Sequence, residues 1–172
     1  TYKIPDTIKS FNTSYLKIEN PYNPANNYSS SNFTIRPEIT VTMPTQGLIF
    51  DSGNRTLINW TYSGILSNVT LEYSANATYG PWEPISGATN VTVTNRGFNW
   101  SLPADINLST NAHIKVSDSD QTFAAIATNQ SADFTVRGAL GIVSPNATGI
   151  VVNVTDTYNI NWTRYGKIQN VN

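Results

Sequence analysis

The chain has no cysteine in its 172 residues. Disulfides and thiolate metal sites are therefore excluded, and each folded unit must rely on a hydrophobic core. Charge is also scarce: 12% of residues are charged, about half the usual share for a soluble globular protein, and the net charge is −1. That balance offers no basic stripe to follow a phosphate backbone, so nucleic acid is not an expected partner. No apolar run approaches the roughly 20 residues of a membrane helix, so no membrane-spanning segment is expected. Thr1 does not open a signal peptide, and the chain reads as a mature or excised segment.

Catalytic signals are equally sparse. There is no G-x-S-x-G elbow, no H-E-x-x-H and no glycine-rich phosphate loop. The single histidine, His113, flanks the alternating Ile114-Lys115-Val116 and reads as a surface strand residue. The 11 carboxylates are scattered, Asp118 and Asp120 being the only close pair. A calcium site there would need six to eight oxygens, recruiting Asp105 or loop carbonyls. The pair reads instead as a polar turn between two strands. The chain is expected to be no enzyme and to carry no metal or cofactor.

What the sequence does contain is a repeat. Ile58-Asn59-Trp60-Thr61-Tyr62 returns 102 positions later as Ile160-Asn161-Trp162-Thr163-Arg164. Pro44 with Gly47 precedes the first copy as Pro145 with Gly149 precedes the second, and Gly64, Asn68 and Val69 follow the first as Gly166, Asn170 and Val171 follow the second. Upstream, Tyr2-Lys3-Ile4-Pro5 matches Trp100-Ser101-Leu102-Pro103, Leu16-Lys17-Ile18 matches Ile114-Lys115-Val116, and Phe33-Thr34-Ile35-Arg36 matches Phe134-Thr135-Val136-Arg137. A period near 100 residues is that of a whole domain. The expected division is a back half in residues 1–36 (strands E to G), a complete unit in 37–137, and a front half in 138–172 (strands A to C).

The pattern within the unit is β throughout. Ile39-Thr40-Val41-Thr42-Met43, Val69-Thr70-Leu71-Glu72-Tyr73, Val91-Thr92-Val93, Phe98-Asn99-Trp100-Ser101-Leu102, Ile114-Lys115-Val116 and Phe134-Thr135-Val136 alternate apolar with polar residues. Turn residues separate them, as in Asp51-Ser52-Gly53-Asn54 and Asn95-Arg96-Gly97. Seven or eight half-buried strands in about 100 residues predict an all-β, immunoglobulin-like sandwich. Its expected core is Ile58, Trp60, Val69, Leu71, Tyr73, Val91, Val93, Phe98, Trp100, Ile114, Val116, Phe134 and Val136. Only two or three residues join a last strand to the next first strand at Pro37-Glu38 and Gly138-Ala139, which predicts a stiff rod.

The strongest chemical signal is Asn-X-Ser/Thr, the N-glycosylation acceptor. It occurs at Asn12, Asn27, Asn32, Asn54, Asn59, Asn68, Asn76, Asn90, Asn99, Asn107, Asn129, Asn146, Asn153 and Asn161. These 14 sequons compare with about five expected by chance from 22 Asn and 38 Ser or Thr. In seven of them (Asn32, Asn59, Asn68, Asn90, Asn99, Asn153 and Asn161) the middle residue is an expected core residue of a strand, so Asn and Ser/Thr share the solvent face. Sugars there would replace the missing charges as a solubilising layer and hinder edge-to-edge aggregation. The implied setting is extracellular. Trp82, Tyr79, Tyr22 and Tyr28 lie in loop-like stretches, where they would stack on sugar rings or, more commonly, pack over an open end of the sandwich.

The order of Pro44, the Ile58/Trp60 pair, Val69-Thr70-Leu71, Trp82, Phe98 to Pro103, Ile114-Lys115-Val116-Ser117-Asp118 and Phe134-Thr135-Val136 resembles the immunoglobulin-like modules repeated in large prokaryotic cell-surface proteins. Those modules are similar to the Kre9/Knh1 amino-terminal domain of fungal cell-wall proteins. The matching residues are packing residues, so the resemblance implies a fold and a surface address but no catalytic residue. Heavy sequon use without cysteine resembles an archaeal surface protein more than a bacterial one. The expected function is a structural filament or surface array serving adhesion, the alternative being a carbohydrate-binding module of a larger secreted protein. The expected partners are copies of the chain joined head to tail, or covalently linked modules of one chain. In the first case residues 1–36 and 138–172 of two copies would build one composite sandwich.

Overall fold

In a computed structural model, the described residues are 1–8, 11–76, 79–120 and 127–172. They carry sixteen strands and no α-helix. The first four are β1 (Phe11–Ser14), β2 (Lys17–Asn20), β3 (Asn23–Ser29) and β4 (Phe33–Ile35). β1 pairs with β4, and β2 with β3, both antiparallel. Tyr2-Lys3-Ile4-Pro5, matched in sequence to a strand of the complete unit, forms none. Tyr28 lies within β3 rather than in a loop.

Residues 38–137 form a two-sheet sandwich. One sheet has the order β11 (Gly97–Ser101), β7 (Arg55–Ser63), β5 (Glu38–Met43). The other has the order β10 (Val91–Thr92), β8 (Asn68–Ser74), β12 (Ser109–Asp118), β14 (Phe134–Arg137), β6 (Ile49–Asp51), with β9 (Glu83–Pro84) added on β8 and β13 (Thr128–Gln130) on β12. The first, second and fifth main strands thus share one sheet, and the third, sixth and last share the other, as in an immunoglobulin-like sandwich. No fourth strand completes the first sheet among the described residues: Val91-Thr92 pairs with β8 instead, and Val93–Asn95 is a single 3₁₀ turn. β6 pairs parallel to β14, joining the chain's way into the unit to its way out.

Period-two alternation places the core as the sequence predicts. Ile58, Trp60, Val69, Leu71, Tyr73, Val93, Trp100, Ile114, Val116, Phe134 and Val136 are buried, while Val91 and Phe98 are half-buried against them. Ile39, Ile85, Ala88, Leu102, Ile106, Ala112 and Ala127 complete the cluster. Trp60 Nε1 donates to the Val93 carbonyl at 3.3 Å, so the largest core side chain is also polar-satisfied. Phe134 packs tilted against Phe50 (5.3 Å between centroids) and Tyr73 (6.4 Å).

β12 changes partner along its length. Its first part pairs with β14 and its later part with β13, on the same edge. A ladder interrupted in this way leaves backbone donors in need of acceptors. Ser131 supplies one: Ile114 N–H donates to Ser131 Oγ at 3.0 Å, and Ser131 Oγ donates to the Ala132 carbonyl at 2.8 Å. The amino-terminal strands repeat this arrangement. Leu16 N–H donates to Ser30 Oγ at 3.0 Å, and Ser30 Oγ to the Ser31 carbonyl at 2.7 Å. Ladder registers agree as well, Lys17↔Ser29 and Ile18↔Tyr28 corresponding to Lys115↔Gln130 and Val116↔Asn129.

The last two strands, β15 (Ala139–Ser144) and β16 (Asn161–Tyr165), are antiparallel. Leu140↔Arg164, Gly141↔Thr163 and Ile142↔Trp162 correspond to Ile39↔Tyr62, Thr40↔Thr61 and Val41↔Trp60 of β5 and β7. This hairpin contacts the sandwich through two backbone hydrogen bonds, Gly166 N–H to the Ala104 carbonyl (2.6 Å) and Lys167 N–H to the Ile106 carbonyl (3.1 Å). Gly166 has φ +84°, so this turn favours glycine, and its bare Cα leaves room for the Leu108 side chain.

Candidate functional site: the outer sheet faces

The outer faces of the sandwich are built from the residues that alternate with the core. On β7 and β11, Asn59 and Asn99 sit between buried Ile58 and Trp60 and beside buried Trp100, so their amides point away from the core. Gly97 is paired opposite Asn59, and a Cβ on it would lie 2.8 Å from Asn59 Oδ1. The glycine leaves room on this face for the Asn59 amide. On the other sheet, Asn68 and Thr70 alternate with buried Val69 and Leu71. Thr70 Oγ1 bonds Ser119 Oγ at 2.9 Å, and Ser117 Oγ bonds Thr128 Oγ1 at 2.9 Å.

Of the sequon asparagines, Asn27, Asn32, Asn54, Asn76, Asn90, Asn99, Asn146, Asn153 and Asn161 are exposed, and Asn59, Asn68, Asn107 and Asn129 are half-buried. The Asn12 side chain lies outside the described residues. Two of the half-buried amides have structural contacts. Asn129 Oδ1 accepts from Val41 N–H at 3.0 Å, tying β13 to β5, and Asn107 Nδ2 donates to Glu83 Oε1 at 3.3 Å. Asn90 lies just before β10 in a left-handed conformation, φ 58°, outside the strand expected to carry its sequon. The expected strand at Asn153-Val154-Thr155 is absent: Asn153 N–H donates to Asp156 Oδ2 at 3.0 Å in a turn, and Val154 is fully solvated. Phe33 and Trp162, expected in a core, are exposed, because their hairpins have no facing sheet within the described chain.

His113 is not the surface residue its flanking position predicts. It is buried, with Nδ1–H donating to the Ser131 carbonyl at 2.8 Å and Nε2 3.8 Å from an Asp133 carboxylate oxygen. Its ring helps to close the break in the β12 ladder. Asp118 is also buried, Oδ1 accepting from Asp120 N–H at 3.0 Å. Among the described residues no group of three or more His, Asp or Glu side chains is placed to hold a metal. The aromatic candidates separate: Tyr22, Tyr28 and Tyr79 are solvated, whereas Trp82 is half-buried with Lys115 Nζ 4.8 Å from its ring centroid. Lys115 is itself paired with Glu72 at 2.6 Å.

Burial raises the Asp118 carboxyl above the ordinary carboxylate range, with the Asp120 amide opposing and the Asp120 charge adding to the rise. A raised native value means that the ionised group costs stability; the cost is absent below the unfolded value and grows as pH rises through the native one. Asp118→Asn keeps the oxygen acceptor and removes the charge. The variant is expected to melt at or above the wild-type temperature at pH 7, the difference vanishing near pH 3. A melting temperature several degrees lower at pH 7 in thermal scans would show that the carboxylate has a partner of its own.

Compared with models of known protein families and with characterised proteins, the chain matches no family model and no characterised protein.

Proposed function

We propose that this chain belongs to a structural, N-glycosylated protein of the cell surface or of an extracellular filament, built from immunoglobulin-like modules in tandem and serving adhesion or cell-cell contact. The observation that carries the reading is the coincidence of sequon and strand alternation. Asn59, Asn68 and Asn99 share the solvent faces of β7, β8 and β11, and their middle residues, Trp60, Val69 and Trp100, lie in the core. Both broad faces of the sandwich thus present acceptor asparagines where charge is scarce. Glycans at these positions hydrate the faces and block lateral pairing of sheets. Support for tandem modules comes from the matching ladders, with β15 and β16 registered as β5 and β7, and β1 to β4 as β12, β13 and β14. Against a sugar-stacking role for Trp82 stands Lys115 over its ring, itself held by Glu72.

The test is the intact mass of the protein isolated from the cells that make it, before and after removal of N-linked glycans. The expected result is a native mass well above that calculated from its sequence, falling to the calculated value on deglycosylation. A native mass equal to the calculated one contradicts the proposal.

A further inference from the structure

The two ends of the chain carry apolar faces that the complete sandwich shows how to cover. In residues 38–137, Ile39, Val41, Ile58 and Trp60 of β5 and β7 join Ile114, Val116, Phe134 and Val136 of β12 and β14 in one core. The counterparts of the first four are Leu140, Ile142, Ile160 and Trp162, which are 57%, 65%, 65% and 50% exposed. The counterparts of the second four are Leu16, Ile18, Phe33 and Ile35; the first three are 57%, 68% and 41% exposed. One end therefore presents one wall of this core and the other end presents the facing wall, each in the ladder register of the complete unit.

We infer that residues 138–172 of one copy and residues 1–36 of a second copy close on each other as a composite sandwich, with β15 and β16 facing β1, β2 and β4. The occupant of each apolar face is a second copy of this chain, because that chain supplies the complementary wall. The parallel pairing of β6 with β14 sets the register at the seam: Val136↔Phe50 and Arg137↔Asp51 become Ile35↔Val152 and Arg36↔Asn153. Val152, at 45% exposed, then takes the place of half-buried Phe50. Each copy offers two different surfaces, so the contact is heterologous and propagates rather than stopping at a pair. Ladder hydrogen bonds and alternate side chains entering a shared core provide the attraction, as in β-strand addition.

The inference names the partner for the array reading above but rests on the fold alone, and its test uses the unglycosylated 172-residue chain, so its failure leaves the glycosylation reading standing. Sedimentation velocity should show wild-type chains growing in size with concentration. Trp162→Asp and Phe33→Asp each disable one wall, lie outside the complete sandwich and should leave its melting transition intact. Each variant alone is expected to be a monomer, whereas an equimolar mixture forms a one-to-one dimer that grows no further, since one copy retains each live wall. Ile160→Asp mixed with Ile35→Asp should behave in the same way. Wild type that remains monomeric, single variants that assemble like wild type, or a mixture that stays monomeric would each overturn the inference.

Discussion

Trp60→Ala and Trp100→Ala each lower the unfolding free energy of the sandwich by about 3–5 kcal/mol, the range for truncating a large buried aromatic. Trp60 is 1% exposed and Trp100 4%, on neighbouring strands β7 and β11 of one sheet. Removing the Trp60 indole opens a cavity beside Ile58 and takes away one of the two donors of the Val93 carbonyl, the indole N–H at 3.3 Å, leaving Arg96 N–H at 3.1 Å. Removing the Trp100 ring deletes a partner of Tyr73 at 5.3 Å, whose hydroxyl donates to the Asn107 carbonyl at 2.8 Å. A domain of this size has only about 5–15 kcal/mol of net stability, so either change consumes a large part of it. No disulfide limits the loss. Urea denaturation followed by the remaining tryptophans checks the expectation; a midpoint close to wild type for either variant would remove that residue from the core.

Ser131→Ala is expected to cost about 1–3 kcal/mol, the penalty for leaving a buried backbone donor without an acceptor. The donor is Ile114 N–H, 3.0 Å from Ser131 Oγ, on a residue with no solvent exposure. A hydroxyl is needed because β12 is passing from β14 to β13 at this point and no backbone carbonyl fills the gap. Ser131→Thr keeps the hydroxyl, as well as the Asn129 sequon, and should stay near wild type. Because the alanine variant also abolishes that sequon, denaturation is measured on unglycosylated protein. Equal midpoints for the alanine and threonine variants would show that the Ser131 hydroxyl does not complete the ladder.

Much of this fold is legible in the sequence because its strands are half-buried and alternate strictly. Val69-Thr70-Leu71-Glu72-Tyr73 announces which side chains face the core, and the structure buries those three apolar residues. The repeat was legible for a related reason, since Ile58-Asn59-Trp60 and Ile160-Asn161-Trp162 encode the same ladder. Alternation fails where a strand is irregular. Ala112, His113 and Ile114 are all buried, because β12 shifts register and changes partner there, so a histidine that reads as outward-facing is enclosed. Asn153-Val154-Thr155 shows the opposite error: three residues of strand-like pattern are too few to outweigh the Asp156 turn and Thr155 at φ 83°. The parallel contact of β6 with β14 was not legible at all, since a three-residue strand between turns does not specify a partner more than 80 residues away.

Among the outer faces, the sequence located the sequons but not the supporting detail. Gly97, read there as a turn residue, is the residue that leaves space opposite Asn59. Asn129, read as one acceptor among many, also links β13 to β5 through its carbonyl oxygen. These roles depend on strand pairing across the sheet, which residue order alone does not display.

The central claim is that the strand sequons are glycan sites on the outside of a structural module. Glycopeptide mass mapping of the protein from its native source tests it most directly at Asn59, Asn68, Asn90 and Asn99. The account predicts a carbohydrate mass increment on each of these peptides, at a high fraction of molecules. Unmodified peptides at all four positions would contradict it.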